Sequence, residues 1–434
     1  MTLQEREAQA CAIIDAMAHE LRKLSLYLHD NPELGLEEHK AVNVINQFLE
    51  NHNFTSQVGL TDLPELQTAL RSDYNCEAPH KMAFLGEYDA LPELGHGCGH
   101  NLIAMMSLGA AVAFSQSAPQ DWGVTFFGCP AEETIGGKVY MAEAGLFKGY
   151  EAALIIHPGG ENEVGGTSLA THPLEVTFHG RSCHIASLTD SGINALDCAV
   201  DLYQRIKELK KTFPKGAIVG AIFTEAGTAP NVVTPKATIR MTVRGRTVDD
   251  LEGIILPAIK EAAKEIGVSY GARVEMHHYE PLFKDMRQDK QLLDLFNDVM
   301  TEFGETPRIL PDDEADGSTD VGNVSYEVPT AQPTLQIGLG LEAHTVGLRV
   351  ESLGQARWLA GKIILLGKRV NIPLYFICKT SEIGTTRTCR EFFSSKNSAI
   401  SRHYTYHSIG SSNIYAYSIC CFHIITFTLY MQRY

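Results

Sequence analysis

The sequence lacks an excess of positive charge and lacks clusters of lysine and arginine. Its 434 residues include 36 Lys and Arg against 52 Asp and Glu, which gives a formal net charge of -16 at pH 7. Nucleic acids and anionic membrane surfaces are bound by concentrated basic side chains, so we expect neither as a partner. A small molecule or another protein is the partner that this charge favours.

The sequence also lacks the marks of export. The opening residues, MTLQEREAQACAIIDAM, contain no basic segment followed by an apolar run and a cleavage site. The ten cysteines are neither dense nor regularly spaced, so they do not predict a disulfide framework. Near the end, NIYAYSICCFHIITFTLYM is interrupted by polar residues and does not predict a membrane span. We therefore expect a cytoplasmic protein.

The order of apolar patterns predicts an α/β fold with an inserted domain. In residues 1–171, helical periods alternate with apolar strands such as MAFLGEY and VTFFG, which indicates a mostly parallel sheet covered on both faces. Residues 172–286 read as strand, helix, strand, strand, helix, strand, typical of a small ferredoxin-like α+β domain. Residues 287–368 return to the first pattern. The second domain is thus predicted to interrupt the first.

The tail, residues 369–434, does not fit either pattern. It holds four of the ten Cys and seven of the sixteen Tyr, and it shows no helical or alternating period. We assign no domain to it. Its composition motivates the hypothesis of a misread reading frame or a retained intron, which a transcript encoding all 434 residues would contradict.

The stretch GHGCGHN, residues 95–101, brings Cys98 and His100 close together. Its glycines do not have the G-x-G-x-x-G spacing of a dinucleotide-binding loop, which argues against a nucleotide-dependent oxidoreductase. In an extended segment the two side chains point to the same side, and thiolate and imidazole are both good ligands for zinc and similar ions. Taken alone, such a pair could instead be part of a turn or of the protein core, with no role in metal binding.

Three further pieces lie at the predicted ends of strands. Glu132 and Glu133 follow the strand WGVTFFG, His157 ends the strand AALIIH, and His344 follows the strand TLQIGL. Each alone fits an acidic turn or an ordinary histidine. Open α/β sheets hold their ligands at the carboxyl ends of strands, so together they indicate a site.

The combined set predicts a centre for two divalent metal ions, Zn or Mn, that share a bridging water. Glu132 is predicted to take the proton of that water and pass it to a leaving amine. Cysteine favours zinc whereas carboxylates suit either metal, so the sequence does not choose between them. The candidate metal ligands are Cys98, His100, Glu133, His157 and His344.

The sequence contains long motifs in a fixed order, namely HDNPELGLEE, GEYDALPELGHGCGHN, CPAEETIGGK, HPG, FHGRSCHIA, SGINALDC, APNVVTP and GSTDVGNVSYEVP. These motifs resemble those of peptidase family M20, the aminoacylase and carboxypeptidase G group. The similarity covers about residues 10 to 368 and is nearest to the amidohydrolase branch that includes p-aminobenzoyl-glutamate hydrolases and β-alanyl-lysine dipeptidases.

The resemblance implies roles for particular residues. The five candidate ligands fall on metal-ligand positions, and Glu132 falls on the catalytic base. Asp89 matches an acidic residue that supports the metal centre from behind, whereas Glu87, two positions earlier, is left out of the predicted site.

In the family the inserted domain forms a homodimer, and His184 matches a histidine thought to reach the partner's active site and polarise the scissile carbonyl. Asn231 matches a substrate-contacting asparagine. Arg244 is placed where its planar fork could hold a substrate carboxylate, with a solvated strand arginine as the equal alternative.

The predicted function is metal-dependent hydrolysis of an amide bond in a dipeptide or N-acyl amino acid. The alternative is a catalytically impaired member of the family that acts as a metal-binding or scaffold protein, because folds outlive functions. The presence of Glu132 beside Glu133 favours the enzyme, since a purely structural site needs no second carboxylate.

Overall fold

The computed structural model describes residues 1–186, 192–315 and 317–349. The helix predicted near residues 353–366 and the tail 369–434 lie outside these ranges. Within them, no helix combines the length and the apolar character needed to cross a membrane. The predicted α/β class is confirmed, because helices and strands alternate along most of the described chain.

The helices follow the predicted apolar periods closely. The first helix ends just before the NPELG break and the second begins after it, as expected. The third helix is buried on almost all sides, which explains why it has no polar face. A short π-helical turn, Leu251–Ile255, joins the sixth and seventh helices. The helices are α1 (Leu3–Asp30), α2 (His39–Asn51), α3 (His100–Ser117), α4 (Gly137–Glu143), α5 (Ala195–Leu209), α6 (Val248–Asp250), α7 (Leu256–Tyr270), α8 (Lys290–Glu302) and α9 (Val321–Ser325).

The strands form three sheets. They are β1 (Thr55–Val58), β2 (Leu70–Tyr74), β3 (His80–Glu87), β4 (Trp122–Cys129), β5 (Ala152–Leu154), β6 (His157–Gly159), β7 (Glu163–Thr167), β8 (Ala170–Thr171), β9 (Leu174–His179), β10 (Ile218–Glu225), β11 (Lys236–Gly245), β12 (Arg273–His278), β13 (Arg308–Ala315), β14 (Thr330–Ala331) and β15 (Thr334–Gln336).

The largest sheet has six strands in the order β1-β2-β4-β3-β5-β14. The four strands from β4 to β14 run parallel, and β2 and β1 extend the sheet through antiparallel pairs. Every residue of β4 is buried, as expected for a strand in the middle of a covered sheet. Helix α3 packs on β3 and β4, and α1 packs on α3. This packing on both helices and strands fixes the positions of the ends of β3 and β4.

The second sheet is formed by residues 170–278 and has the order β10-β11-β9-β12, with β8 beside β11. Its strands and helices follow one another as β9, α5, β10, β11, α7, β12, which is the ferredoxin-like arrangement. Helices α5 and α7 pack on it over a closed apolar core that includes Phe178, Leu202, Ile239 and Ile259. The domain boundaries at 171/172 and 286/287 stay predictions.

The third sheet corrects one expectation about His157. The sequence predicted a single strand, AALIIH, that ends at this residue. In the structure β5 ends at Leu154, and His157 begins β6 in a separate four-stranded sheet of order β13-β7-β15-β6. Two residues between the strands turn the chain from one sheet to the other. His157 is thus positioned as the first residue of β6 and not as the last residue of β5.

Candidate metal centre

The two acidic loops of the site lie at the same edge of the six-stranded sheet. Strands β3 and β4 are parallel neighbours, with Glu87 paired to Cys129 at their ends. Asp89 follows β3 by two residues, and Glu132 and Glu133 follow β4 by three and four. Because carboxyl ends of parallel strands meet at one edge, side chains far apart in the sequence come together there.

Gly99 allows the GHGCGHN loop to approach the HPG strand. Its φ is +82°, a left-handed value that favours glycine, and a Cβ at this position would lie 2.6 Å from Pro158 Cγ. The Cys98 Sγ atom lies 3.5 Å from His157 Nε2 as a result. The predicted convergence of these two pieces is thus seen in the structure.

The candidate ligand atoms form three overlapping groups. Within each group the atoms that could bind a metal lie within 4.8 Å of one another. Since Cys98, His100 and Glu133 each belong to two groups, the groups make one continuous cluster. They are Cys98, His100 and His157; Cys98, Glu133 and His344; and His100, Glu132 and Glu133.

His100 is oriented by Asp89. Its Nδ1 lies 2.9 Å from Asp89 Oδ1 and 3.0 Å from the Asp89 carbonyl oxygen, so Nε2 points into the cluster. That Nε2 is buried and has no hydrogen-bond partner among the described residues. Burial alone would lower the pKa of His100, but the Asp89 carboxylate raises it well above the ordinary value. A histidine backed by a carboxylate is the usual arrangement at a metal ligand.

His157 also presents one nitrogen to the cluster. Its Nδ1 lies 2.8 Å from the Pro158 carbonyl oxygen, which accepts only a proton-bearing nitrogen as its partner. Nε2 is then the unprotonated nitrogen, and it faces Cys98. Burial lowers the pKa of His157, which keeps the ring neutral. A neutral imidazole is the form that binds a metal ion.

The pKa values of two acidic groups in the cluster are raised. Burial, with the charges of Glu87 and Asp320 added, raises the pKa of Glu132 well above its usual range. Burial likewise raises the pKa of the Cys98 thiol to about 12. A divalent ion would reverse both effects, because it stabilises thiolate and carboxylate together. The residues present therefore fit a metal centre of mixed S, N and O ligands.

His344 completes the cluster from the last described segment. Its Nε2 lies 3.2 Å from Glu133 Oε1, and its side chain is 56% exposed. The backbone has φ +60°, and its N–H donates to the Gly97 carbonyl at 3.1 Å. This bond ties the loop after β15 to the GHGCGHN loop. His344 is therefore the solvent-facing member of the set.

A buried ionic triad behind the cluster was missed by the sequence reasoning. Lys138 Nζ lies 2.7 Å from Glu87 Oε1 and 2.5 Å from Asp320 Oδ1. The second oxygen of Glu87 is 3.5 Å from His100 Nε2, so the triad reaches the cluster. All three residues belong to family motifs, GEYDALP, GGK and GSTD, but a lone lysine reads as a surface residue.

Three further predicted residues lie on the ferredoxin-like part of the chain: the catalytic candidate His184 and the substrate-binding candidates Asn231 and Arg244. His184 is bridged to Val232, and the Ile185 N–H donates to the Asn231 carbonyl at 3.1 Å, so His184 and Asn231 are neighbours. Arg244 lies on β11 opposite Ile218 of β10. Among the described residues, His184 belongs to none of the three metal-ligand groups.

Comparisons with known proteins agree with the fold. The model of peptidase family M20/M25/M40 matches residues 83–351. The Xaa-Arg dipeptidase of Mus musculus is 31% identical over 357 residues, covering 79% of this chain and 82% of that protein. A p-aminobenzoyl-glutamate hydrolase polypeptide of Escherichia coli (strain K12) is 30% identical over 247 residues, covering 52% of this chain and 50% of that protein.

A solved structure of a Bacillus subtilis protein, described as a dinuclear metal binding peptidase from the M20 family, shares the fold. Its TM-score is 0.59 at 21% identity, and the match covers 80% of this chain and 98% of that one. The fold and the relatives together define a hydrolase. The chain belongs to peptidase family M20/M25/M40, and the family resemblance predicted from its motifs is confirmed.

Proposed function

We propose that this chain hydrolyses the amide bond of a dipeptide or an N-acyl amino acid at a centre of two divalent metal ions. One observation carries the proposal: side chains from four separate segments converge on a single cluster, and a second carboxylate, Glu132, lies beside the ligand Glu133. A structural metal site needs ligands only. A hydrolytic site also needs a group that moves a proton.

The ions would be held by the five ligands predicted from the sequence. Cys98, His100 and Glu133 would connect the set, because each belongs to two of the three overlapping groups. When bound, divalent ions of this kind polarise a carbonyl oxygen and lower the pKa of water. The ligand set of sulfur, nitrogen and oxygen suits Zn or Mn.

Glu132 is the proposed general base. Its side chain is 13% exposed, and Oε2 lies 4.0 Å from His100 Nε2, so the carboxylate borders the cluster and stays open to a small reactant. At this border the carboxylate is placed to take a proton from water and return it to the leaving amine. Asp89 is proposed to fix His100 while its other oxygen fixes the turn at Glu133 N.

For the substrate we propose a dipeptide with a basic carboxyl-terminal residue, such as β-alanyl-lysine or an arginine dipeptide. The support is the similarity to relatives named Xaa-Arg dipeptidase, which covers most of both chains. Arg244 is proposed to hold the substrate carboxylate through its planar fork. His184 is proposed to polarise the scissile carbonyl in the partner's active site, and its neighbour Asn231 is proposed to contact the substrate.

We also propose that the ferredoxin-like part forms a homodimer. Strand β10 is the last strand in its sheet, and its apolar residues Ile218 and Ile222 are 47% and 63% exposed. An exposed apolar edge strand is a template for pairing with another chain. Ile222→Lys should give a monomer in light scattering, whereas Val268→Lys on α7, 82% exposed on the helix side, should leave the dimer intact.

The test of the proposed activity is hydrolysis of a substrate panel followed by mass spectrometry. The panel contains β-alanyl-lysine, dipeptides ending in arginine, p-aminobenzoyl-glutamate and N-acetyl amino acids, with Zn or Mn supplied and chelated protein as the blank. Metal-dependent release of one product would support the proposal and name the substrate. No release from any substrate by protein that carries its metals would overturn the proposed substrate class.

A further inference from the structure

The segment NPELGLEE, Asn31–Glu38, is a motif of the sequence to which the proposed chemistry gives no role. In the structure it lies against the turn that follows β4, residues 130–136, which carries Glu132 and Glu133. A Cβ atom on Gly35 would lie 2.4 Å from Thr134 Oγ1 and 3.0 Å from Ala131 Cα. The segment therefore fits closely against this turn.

The Glu38 side chain is the polar contact between the two segments. The residue is completely buried, and its Oε1 accepts a hydrogen bond from the Ala131 backbone N–H at 2.8 Å. Its Oε2 accepts a hydrogen bond from the Thr68 hydroxyl at 2.7 Å. Both carboxylate oxygens are thus used, and one of them holds the backbone N–H of Ala131, the residue before Glu132.

Glu38 does not serve its own helix. It stands at the N-cap position of α2, where a carboxylate commonly accepts bonds from the first turn, yet its side chain makes no capping bond. Glu33 caps the helix instead, since its carboxylate accepts hydrogen bonds from the backbone N–H groups of Lys40 at 2.8 Å and Ala41 at 2.9 Å. Helix capping therefore does not account for Glu38.

The turn needs support because its backbone is unfavourable. Ala131 has φ +59°, in the left-handed region that residues other than glycine seldom adopt. On the far side, the Glu133 N–H donates to Asp89 Oδ2 at 3.0 Å. Glu132 is therefore flanked by two backbone N–H groups, each held by a buried carboxylate.

We infer that Glu38 is a positioning residue of the active site, which holds the turn at Ala131 so that Glu132 faces the metal-ligand cluster. The inference rests on the proposed function, because it assigns Glu132 the role of general base. Small displacements of a reacting group lower the rate steeply, so the support of this turn should appear in the rate of turnover.

The experiment compares Glu38→Ala, Glu38→Gln and Glu33→Ala in the metal-loaded, full-length protein. Glu33→Ala is the matched control, because it removes a contact of the same segment without touching the turn. Glutamine at position 38 keeps an acceptor for the Ala131 N–H and a partner for the Thr68 hydroxyl. Turnover, KM, bound metal, melting temperature and hydrogen exchange of the peptide covering residues 130–136 are measured for each.

We expect Glu38→Ala to lower kcat by about 10-fold to 100-fold with KM and bound metal unchanged, and to speed amide exchange in 130–136. Glu38→Gln should restore both readouts, and Glu33→Ala should alter only the melting temperature. Equal kcat losses in the two alanine variants, or unchanged exchange in Glu38→Ala, would overturn the inference. If the wild type turned over no substrate, the proposed function would fail, and exchange would still decide whether Glu38 holds the turn.

Discussion

Lys138 Nζ lies 2.7 Å from Glu87 Oε1 in a part of the protein that excludes solvent, since the two side chains are 0% and 1% exposed. Asp320 binds the same ammonium group through its side chain and also accepts from the Lys138 backbone N–H at 2.9 Å. The ammonium joins the end of β3, helix α4 and the start of α9. A buried charge of this kind is tolerated only when its partners are present.

Lys138→Ala should therefore lower the free energy of unfolding by about 3–5 kcal/mol, because it leaves the carboxylates of Glu87 and Asp320 buried without their cation. The pair of the exposed Lys148 with the half-buried Glu327, 3.4 Å apart, offers a control at the surface. Lys148→Ala should cost about 0–1 kcal/mol. Urea unfolding of both variants measures the difference, and equal losses would contradict the structural importance of the triad.

Glu132→Gln should abolish most turnover and leave the metal content intact. Removal of a general base costs about 10² to 10⁴ in rate. Glu143→Gln, at the exposed end of α4, is the control and should behave as the wild type. Kinetics and elemental analysis on the same samples check both statements. Wild-type turnover in Glu132→Gln would remove the proposed mechanism and would favour the metal-binding or scaffold alternative.

Asp89→Asn should weaken metal binding, because Asp89 fixes the ring of His100 and places Nε2 in the cluster. Loss of such an outer partner lowers metal affinity by about 10-fold to 100-fold. Competition with a coloured chelator gives the affinity. The exposed Asp62→Asn variant should bind metal normally. Normal affinity in Asp89→Asn would show that the ring holds its orientation without the carboxylate.

Stability should fall as the pH rises from about 5 to 8 through the titration of Glu38. Burial raises its pKa from 4.5 to about 7, so the folded state holds this proton more tightly than the unfolded state does. The stabilising contribution is complete below pH 4.5 and is lost as the pH passes 7.

Glu38→Gln should match the wild type at pH 5 and exceed its stability at pH 8 by about 1–3 kcal/mol. Urea unfolding of both proteins at the two pH values, in the same chelator, measures this. A stability difference that stays constant between the two pH values would mean that Glu38 does not titrate in this range.

The candidate ligands could be predicted because each lies beside a recognisable apolar strand or glycine turn. Glu133 and Cys98 follow such signals directly, and a sheet edge brings their elements together. Lys138 could not be predicted, because its partners are Glu87, on a strand before α3, and Asp320, far along the chain. Periodicity reveals burial of apolar residues, but it contains no information about which charges meet across the fold.

The residues with a left-handed backbone conformation could not be predicted from the sequence either. Ala131 and His344 have φ +59° and +60°, and neither is a residue type that indicates a turn. Tertiary contacts hold both, a carboxylate in the first case and the Gly97 carbonyl in the second. The strand order also differed in detail, since AALIIHPG divides between two sheets. Such features depend on long-range contacts that local patterns do not report.

The bond from the His344 N–H to the Gly97 carbonyl, 3.1 Å long, also bears on the order of biosynthesis. Cys98, His100, Glu133 and His157 leave the ribosome early, whereas His344 emerges only after the whole ferredoxin-like part has been made. Contacts between such distant residues form slowly, because a long loop must close first. A metal ion captured by the growing chain would therefore lack the proposed ligand His344, and the proposed centre would be completed late in maturation.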